Sequence, residues 1–185
     1  RVGGLKPDAV VMVATIRALK MHGGQAFEDL GNENVEALAN GICNLKKHLE
    51  NIAKYGLPVV VCINHFASDT EAETACLSKW CEDNGYRYAF CSAFGDGGVG
   101  AKALAEKVME TLNEGKGNYR PLYDEKLPIK EKIEAVCKEI YGAGEVVYTD
   151  PANEQIAQYE KMGYKRTDRQ TVINDKMTLV FYKKD

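Results

Sequence analysis

A short run of apolar residues near the start of the chain, residues 9–14, is rich in β-branched side chains and is the feature that most constrains the fold. A continuous apolar run of this length is typical of a strand that is buried on both faces of a parallel sheet, because a half-exposed strand would alternate apolar and polar residues. In open α/β sheets, ligands bind beyond the carboxyl ends of the strands. The segment that follows therefore supplies candidate site residues, namely Thr15, Arg17, Lys20, His22, Gly23 and Gly24.

Each of these residue types also has a structural explanation. Arginine and lysine side chains are most often solvated surface charges, and a Gly-Gly pair often forms only a turn. The residue types alone leave the two interpretations of this segment open.

A second apolar run, residues 59–63, and a third predicted strand, residues 86–93, each lead into a loop and then into apolar residues at helical spacing. Three consecutive strand-loop-helix units predict a parallel sheet with right-handed crossovers. The predicted fold is therefore a three-layer α/β domain. We expect the glycine-rich residues 95–100 to form the loop that follows the third strand.

Capping residues predict where the helices begin. Either Asn32 or Asn34 is expected to cap the helix between the first two strands, and either Ser68 or Asp69 the helix after the second strand. Residues 113–128 are rich in Gly, Asn, Lys and Pro, and they therefore predict an excursion of the chain over the surface. The elements expected after it are a helix over residues 129–140, a short strand over residues 145–148 and a helix from Asp150 to Gly163.

The composition excludes several classes of protein. A length of 185 residues fits one sizeable domain, and a net charge of -3 provides no electrostatic footprint for nucleic acid or for an anionic membrane. No apolar run approaches the ~20 residues of a membrane span, and the N-terminus lacks the layout of a signal peptide. We therefore expect a cytoplasmic protein, and a first residue other than Met indicates a piece of a longer chain.

The reactive residue types in the sequence form no recognisable catalytic motif or metal-binding motif. Six cysteines without a C-x-x-C pair disfavour both zinc and a secreted disulfide framework. The acidic residues Asp69, Glu71 and Glu73 suit the first turn of a helix better than a metal site. No nucleophile forms a recognisable Ser-His-Asp or Cys-His motif with any of the histidines. The glycine-rich residues 95–100 lack the Lys-Ser/Thr of a P-loop. The sequence thus predicts no catalytic residue and no metal ligand in this chain.

Residues 13–24 resemble one of the two signature motifs of formate–tetrahydrofolate ligase, also called formyltetrahydrofolate synthetase. The resemblance covers most of residues 1–163, through segments 6–11, 33–38, 58–66, 68–73 and 90–100, and more weakly through 140–143 and 155–163. It implies a Rossmann-like domain related to the P-loop NTPases, corresponding to the folate-binding part of that ligase. It also implies an enzyme of one-carbon metabolism that uses ATP with Mg²⁺, formate and tetrahydrofolate.

The resemblance implies a reaction in two steps. ATP phosphorylates formate to formyl phosphate, and the folate amine then attacks it to give 10-formyltetrahydrofolate. Phe66 and Phe94 match the family positions that sandwich the pterin ring, although Phe94 stands where relatives often carry Trp; a place in the core is the alternative for both. The residues implied to line the nucleotide side of the cleft are Arg17, Lys20, His22, Gly23 and Gly24.

The tail, residues 164–185, is a separate problem. It predicts a β-hairpin with a turn at Asn174-Asp175 and resembles the closing hairpin of a GCN5-related acetyltransferase, which suggests a chimera. An acetyl-CoA-binding acetyltransferase is nevertheless disfavoured for the chain as a whole, because the glycine-rich loop for the pyrophosphate is missing. How the hairpin docks, and whether it pairs two copies into a homo-oligomer, stays open.

The resemblance also implies that this chain does not act alone. The triphosphate-binding loop of the ligase family lies in an N-terminal region that has no counterpart in this sequence. ATP binding is therefore expected to require the other ligase domains. The alternative from a different class of function is a catalytically inactive, chimeric or truncated α/β module.

Overall fold

The structure is a computed structural model that describes residues 4–161, 164–174 and 177–184. It divides into two compact units, Pro7–Arg120 and a second unit made of Arg1–Lys6 and Pro121–Asp185. The boundary predicted at residue 163 concerns the origin of the tail and stays a prediction. Gly163, Asp175 and Lys176, predicted to end a helix and to lie in the hairpin, fall outside the described residues.

The larger unit is built on three strands in one parallel sheet of order β1-β2-β3. This sheet confirms the prediction of a mixed α/β fold with parallel strands. A single-turn 3-10 helix covers Phe27–Asp29. The other elements are β1 (Val10–Ala14), α1 (Ile16–His22), α2 (Val35–Ala53), β2 (Val59–Asn64), α3 (Glu71–Asp83), β3 (Arg87–Cys91), α4 (Ala93–Gly100) and α5 (Lys102–Asn113).

One face of the sheet is covered by the helices that connect the strands. Met12 of β1 lies beside Val61 of β2, which in turn lies beside Tyr88 of β3. These side chains pack against the apolar stripes of the connecting helices, and burial of this apolar surface holds the layer on the sheet. The helical core residues are Ile16, Leu19, Leu38, Ile42, Leu45, Leu49, Leu77 and Cys81.

The opposite face of the sheet carries α5. Arg87 of β3 donates from Nη1 to the Oγ1 of the buried Thr111 at 3.1 Å and also pairs with Glu114, which follows α5. With helices on both faces, β2 has the continuous burial that its apolar run predicts, since all four residues from Val60 to Ile63 are buried.

The first strand differs from the prediction. Val11 and Val13, on the face of β1 that points away from α2, are 40% and 60% exposed. β1 is an edge strand of the sheet, and α5 packs on β3 and β2. The prediction of burial on both faces was therefore wrong for β1, because the position of a strand within a sheet depends on its neighbours.

Side chains cap the N-termini of both α2 and α3. Asn34, one of the two predicted residues, caps α2 and accepts the N–H of Ala37 at 2.8 Å. The prediction that Ser68 or Asp69 caps α3 was wrong. The helix begins with a capping box in which the side chains of Thr70 and Glu73 each accept the backbone N–H of the other.

The prediction of a loop over residues 95–100 was also wrong. These residues belong to α4, whose helical turns are interrupted at Gly97 with φ 60° and ψ -142°. The N–H of Asp96 donates to the carbonyl of Ser92 at 2.9 Å, and the N–H of Ser92 donates to the carbonyl of Gly100 at 3.1 Å. Glycine at position 97 allows this break because a positive φ carries no steric penalty there.

The smaller unit contains α6 (Ile129–Glu139), α7 (Asp150–Lys161) and two antiparallel strands, β4 (Tyr164–Asn174) and β5 (Met177–Lys184). The strand predicted over residues 145–148 does not form, so this prediction was wrong. An extended segment becomes a strand only when a neighbour supplies the ladder, and these residues pair with no described strand. Within the described part of the chain, no helix is long and apolar enough to cross a membrane.

Two glycines allow α1 and α2 to approach each other closely. A Cβ at Gly23 would overlap the backbone carbonyl of Ala37, and a Cβ at Gly41 would overlap the carbonyl of Leu19. Gly23 also ends α1, with its N–H donating to the carbonyl of Leu19 at 2.9 Å. The short α1 is thus held on α2 by backbone contacts that only glycine permits.

We expect Gly41→Ala to destabilise the fold by about 2 kcal/mol, because the added methyl overlaps backbone that cannot move away freely. At an ordinary position inside a helix the same change would stabilise by about 1 kcal/mol, so the sign of the effect tests the contact. Urea unfolding followed by circular dichroism measures it. Gly31→Ala, where a Cβ meets nothing within 4 Å, is the control and should change stability little. A more stable Gly41→Ala protein would contradict the packing.

Candidate functional site

The carboxyl ends of the three parallel strands bring three segments of the chain to one edge of the sheet. They are the start of α1 after β1, the loop over residues 65–70 after β2, and the start of α4 after β3. The backbone N–H of His65 donates to the carbonyl of Cys91 at 2.9 Å, which ties the ends of β2 and β3 together. This edge is where α/β sheets bind ligands.

The two phenylalanines predicted to hold a ligand both lie at this edge. Phe66 is half-buried in the loop after β2, whereas Phe94 is 91% exposed at the start of α4. An aromatic ring so exposed contributes little to the core, so the structural explanation does not apply to Phe94. The arrangement presents a planar apolar surface to solvent beside the loop that carries Phe66.

Asp69 organises the loop after β2. Its side chain is 1% exposed, and its Oδ2 accepts the N–H of Phe66 at 2.9 Å and lies 3.5 Å from the Nδ1 of His65. The ring of His65 stands edge-on to Phe90, with centroids 6.4 Å apart and planes at 84°. The sequence pattern predicted a helix cap at Asp69 and carried no signal for this role.

The segment predicted to line a nucleotide cleft divides into exposed and buried residues. Thr15 caps α1 by accepting the N–H of Ala18 at 3.2 Å, and Arg17 and His22 are exposed on the helix. Gly24 is exposed with φ 99°, in the left-handed region that favours glycine.

Lys20 is buried to 1% exposure and forms an ion pair in the interior. Its Nζ lies 2.8 Å from Oε1 of Glu73 and donates to the carbonyl of Asn32 at 2.8 Å. The same carboxylate accepts the N–H of Asn34 at 2.9 Å and that of Thr70 at 3.2 Å. One side chain of α3 therefore connects α1, the cap of α2 and its own capping box.

Two opposing effects act on the pKa of Glu73. Burial raises the pKa, but the hydrogen bonds from Lys20, Asn34 and Thr70 together with the charge of Lys20 outweigh it, so the pKa lies below its ordinary value. The carboxylate is consequently ionised in the folded chain at neutral pH. The sequence carried one signal for this site, since Thr70-Glu71-Ala72-Glu73 has the spacing of a capping box.

The cysteines near the site are buried thiols. Cys62 and Cys91 lie on neighbouring strands, and burial and then the proximity of Cys91 raise the pKa of Cys62 to about 11. A thiol with such a pKa stays protonated near neutral pH and is a poor nucleophile. The structure therefore offers no activated Cys62.

The residues present do not form a metal centre of their own. Among the residues that the structure describes, no group of three His, Cys, Asp or Glu side chains could hold a metal ion. Asp69 and Glu73 are committed to the loop and to the ion pair, and Glu71 is exposed. The Mg²⁺ that the resemblance implies does not fit a site built from protein ligands in this part of the chain.

The family model described as formate–tetrahydrofolate ligase matches residues 1–177. The match contains all three segments that meet at the carboxyl edge of the sheet, and it runs past residue 163 into the tail. The match does not establish a separate origin for residues 164–185, and that origin stays a prediction.

We expect Glu73→Gln to reduce the acid sensitivity of stability. Because the folded-state pKa of Glu73 lies below its unfolded value, its contribution to stability is complete above the unfolded pKa and is lost as pH falls through the folded pKa. The intact chain should lose stability more steeply than Glu73→Gln between about pH 5 and pH 3. The variant should also be less stable at pH 7, since Lys20 loses its charged partner.

Urea unfolding at a series of pH values measures both effects. Glu71→Gln is the matched control, because Glu71 lies two residues away in the same helical turn but is exposed. Equal slopes of unfolding free energy against pH for the intact chain and Glu73→Gln would contradict the assignment.

Proposed function

The chain belongs to the formate–tetrahydrofolate ligase family, and we propose that its larger unit binds tetrahydrofolate in the ATP-dependent synthesis of 10-formyltetrahydrofolate. The proposed reaction takes place in the cytoplasm and proceeds through formyl phosphate, which ATP and formate generate and the folate amine attacks. In this scheme the residues of this chain bind and orient the pterin, and none of them moves a proton or forms a covalent bond.

The observation that carries the proposal is the pair of aromatic side chains at one edge of the sheet. Phe66 follows β2 and Phe94 follows β3, and the bond from His65 to Cys91 joins these two strand ends. Stacking on a flat heterocycle adds about 0.5–1.5 kcal/mol per aromatic ring beyond the apolar area buried. The high exposure of Phe94 supports a ligand as the partner of its ring.

The nucleotide side of the proposed site rests on α1. Arg17 and His22 are exposed and can meet the anionic phosphates of ATP, whereas Lys20 supports the segment from inside through Glu73. Gly23 and Gly24 shape the backbone that leaves this helix. We propose that the triphosphate-binding loop comes from other segments of the ligase, whose fold is related to the P-loop folds. Mg²⁺ would arrive with the nucleotide.

We expect Phe66→Ala and Phe94→Ala each to weaken tetrahydrofolate binding by at least about tenfold, because each change removes a stacking ring and the apolar area that it buries. Phe94→Trp should retain binding, since the larger ring offers the same flat surface. Calorimetric titration of tetrahydrofolate into the intact chain and the variants measures these affinities.

The control for these variants is Tyr141→Ala, an equally simple loss of an exposed aromatic side chain in the smaller unit. It should leave the affinity unchanged. Absence of tetrahydrofolate binding to the intact chain, with circular dichroism showing that it is folded, would overturn the proposed function.

A further inference from the structure

The loop between β2 and α3 holds the backbone of Phe66 at both of its polar groups. The N–H of Phe66 donates to Oδ2 of Asp69 at 2.9 Å, and the N–H of Asp69 donates to the carbonyl of Phe66 at 2.9 Å. A single residue therefore closes the loop around Phe66.

This use of Asp69 is not explained by the start of the helix. Thr70 caps α3, and its capping box with Glu73 is complete without Asp69. The side chain of Asp69 is nevertheless 1% exposed, and burial of a carboxylate is unfavourable unless hydrogen bonds compensate for the lost water. Among the described residues, Asp69 accepts a hydrogen bond from Phe66, and the Nδ1 of His65 lies 3.5 Å from the same carboxylate without a hydrogen bond. The buried carboxylate therefore acts on the loop and not on the helix start.

The same loop is anchored to the sheet through His65. Its backbone N–H bonds to Cys91 of β3, and its ring stands edge-on to Phe90, which is itself edge-on to Tyr88 at 6.0 Å between centroids. Asp69 lies against the other side of His65, with 3.5 Å between Oδ2 and Nδ1. The carboxylate thus connects the anchored residue to the adjacent Phe66.

We propose that Asp69 is a positioning residue that fixes the backbone of Phe66, and with it the direction of the ring, before a pterin arrives. The inference rests on the proposed function. A ring that is already oriented loses less conformational freedom when it stacks, so the bound state is favoured without any contact between Asp69 and the ligand.

Two measurements on one set of variants test the proposal. Hydrogen exchange of the Phe66 amide, followed by NMR, reports the bond to Asp69, and calorimetry reports the affinity for tetrahydrofolate. We expect Asp69→Ala to speed exchange of this amide at least tenfold and to weaken binding about three- to tenfold. Asp69→Asn keeps an acceptor oxygen at the same place and should stay within about twofold of the intact chain in both measurements.

A double-variant comparison separates positioning from general damage to the fold. If Asp69 acts through Phe66, Asp69→Ala adds no further loss of affinity once Phe66→Ala is present. Glu71→Ala, which removes an exposed carboxylate from the same region, should alter neither measurement. A further loss of affinity in the double variant would overturn the proposal.

The remaining outcomes are also decisive. If Asp69→Ala does not fold, Asp69→Glu takes its place, because this change keeps the charge but displaces the carboxylate by one methylene. An affinity of Asp69→Glu for tetrahydrofolate equal to that of Asp69→Asn would then overturn the proposal. Unchanged amide exchange in Asp69→Ala would overturn it whether or not tetrahydrofolate binds. Absence of binding to the intact chain, with the exchange effect present, would instead overturn the proposed function and leave the loop contact established.

Discussion

The buried ion pair between Lys20 and Glu73 is the interaction on which the larger unit depends. Removal of two charges from water is costly, and further hydrogen bonds offset this cost: Asn32 accepts from Lys20, and the N–H groups of Asn34 and Thr70 donate to Glu73. Lys20 comes from α1, Asn32 and Asn34 from the segment before α2, and Thr70 and Glu73 from the start of α3. A shift of any one of these segments would leave a buried charge without its partner, so the pair selects a single arrangement of the three helices.

This arrangement determines which polar residues remain available at the carboxyl edge of the sheet. Glu73 and Lys20 form an ion pair in the interior, and Asp69 accepts a hydrogen bond in the loop that carries Phe66. Arg17 and Phe94 are left exposed at the ends of β1 and β3. The residue types that suggest a site in the sequence therefore divide, in the structure, into residues that build the edge and residues that a ligand can reach.

The parts of the fold that could be predicted are those in which local pattern and burial agree. The apolar run of β2 is buried on both faces, and Asn34 caps the helix whose apolar stripe follows it. The exposed face of β1, the helical turns of α4 and the absent strand at residues 145–148 depend on neighbouring elements, which a local pattern does not contain. The ion pair was missed for the same reason, because nothing near Lys20 in sequence identifies Glu73 as its partner.

The segment over residues 13–24 shows that residues of a family motif can stabilise the fold without contacting a ligand. An isolated helix of seven residues is unstable in water, so α1 must be held at both ends and on one face. Thr15 caps its start, Gly23 ends it against the backbone of α2, and Lys20 fastens its buried face. These three positions explain much of the motif by packing alone. Arg17, His22 and Gly24 of the motif remain exposed, and the position of Arg17 on the first turn follows from the contacts that keep the helix in place.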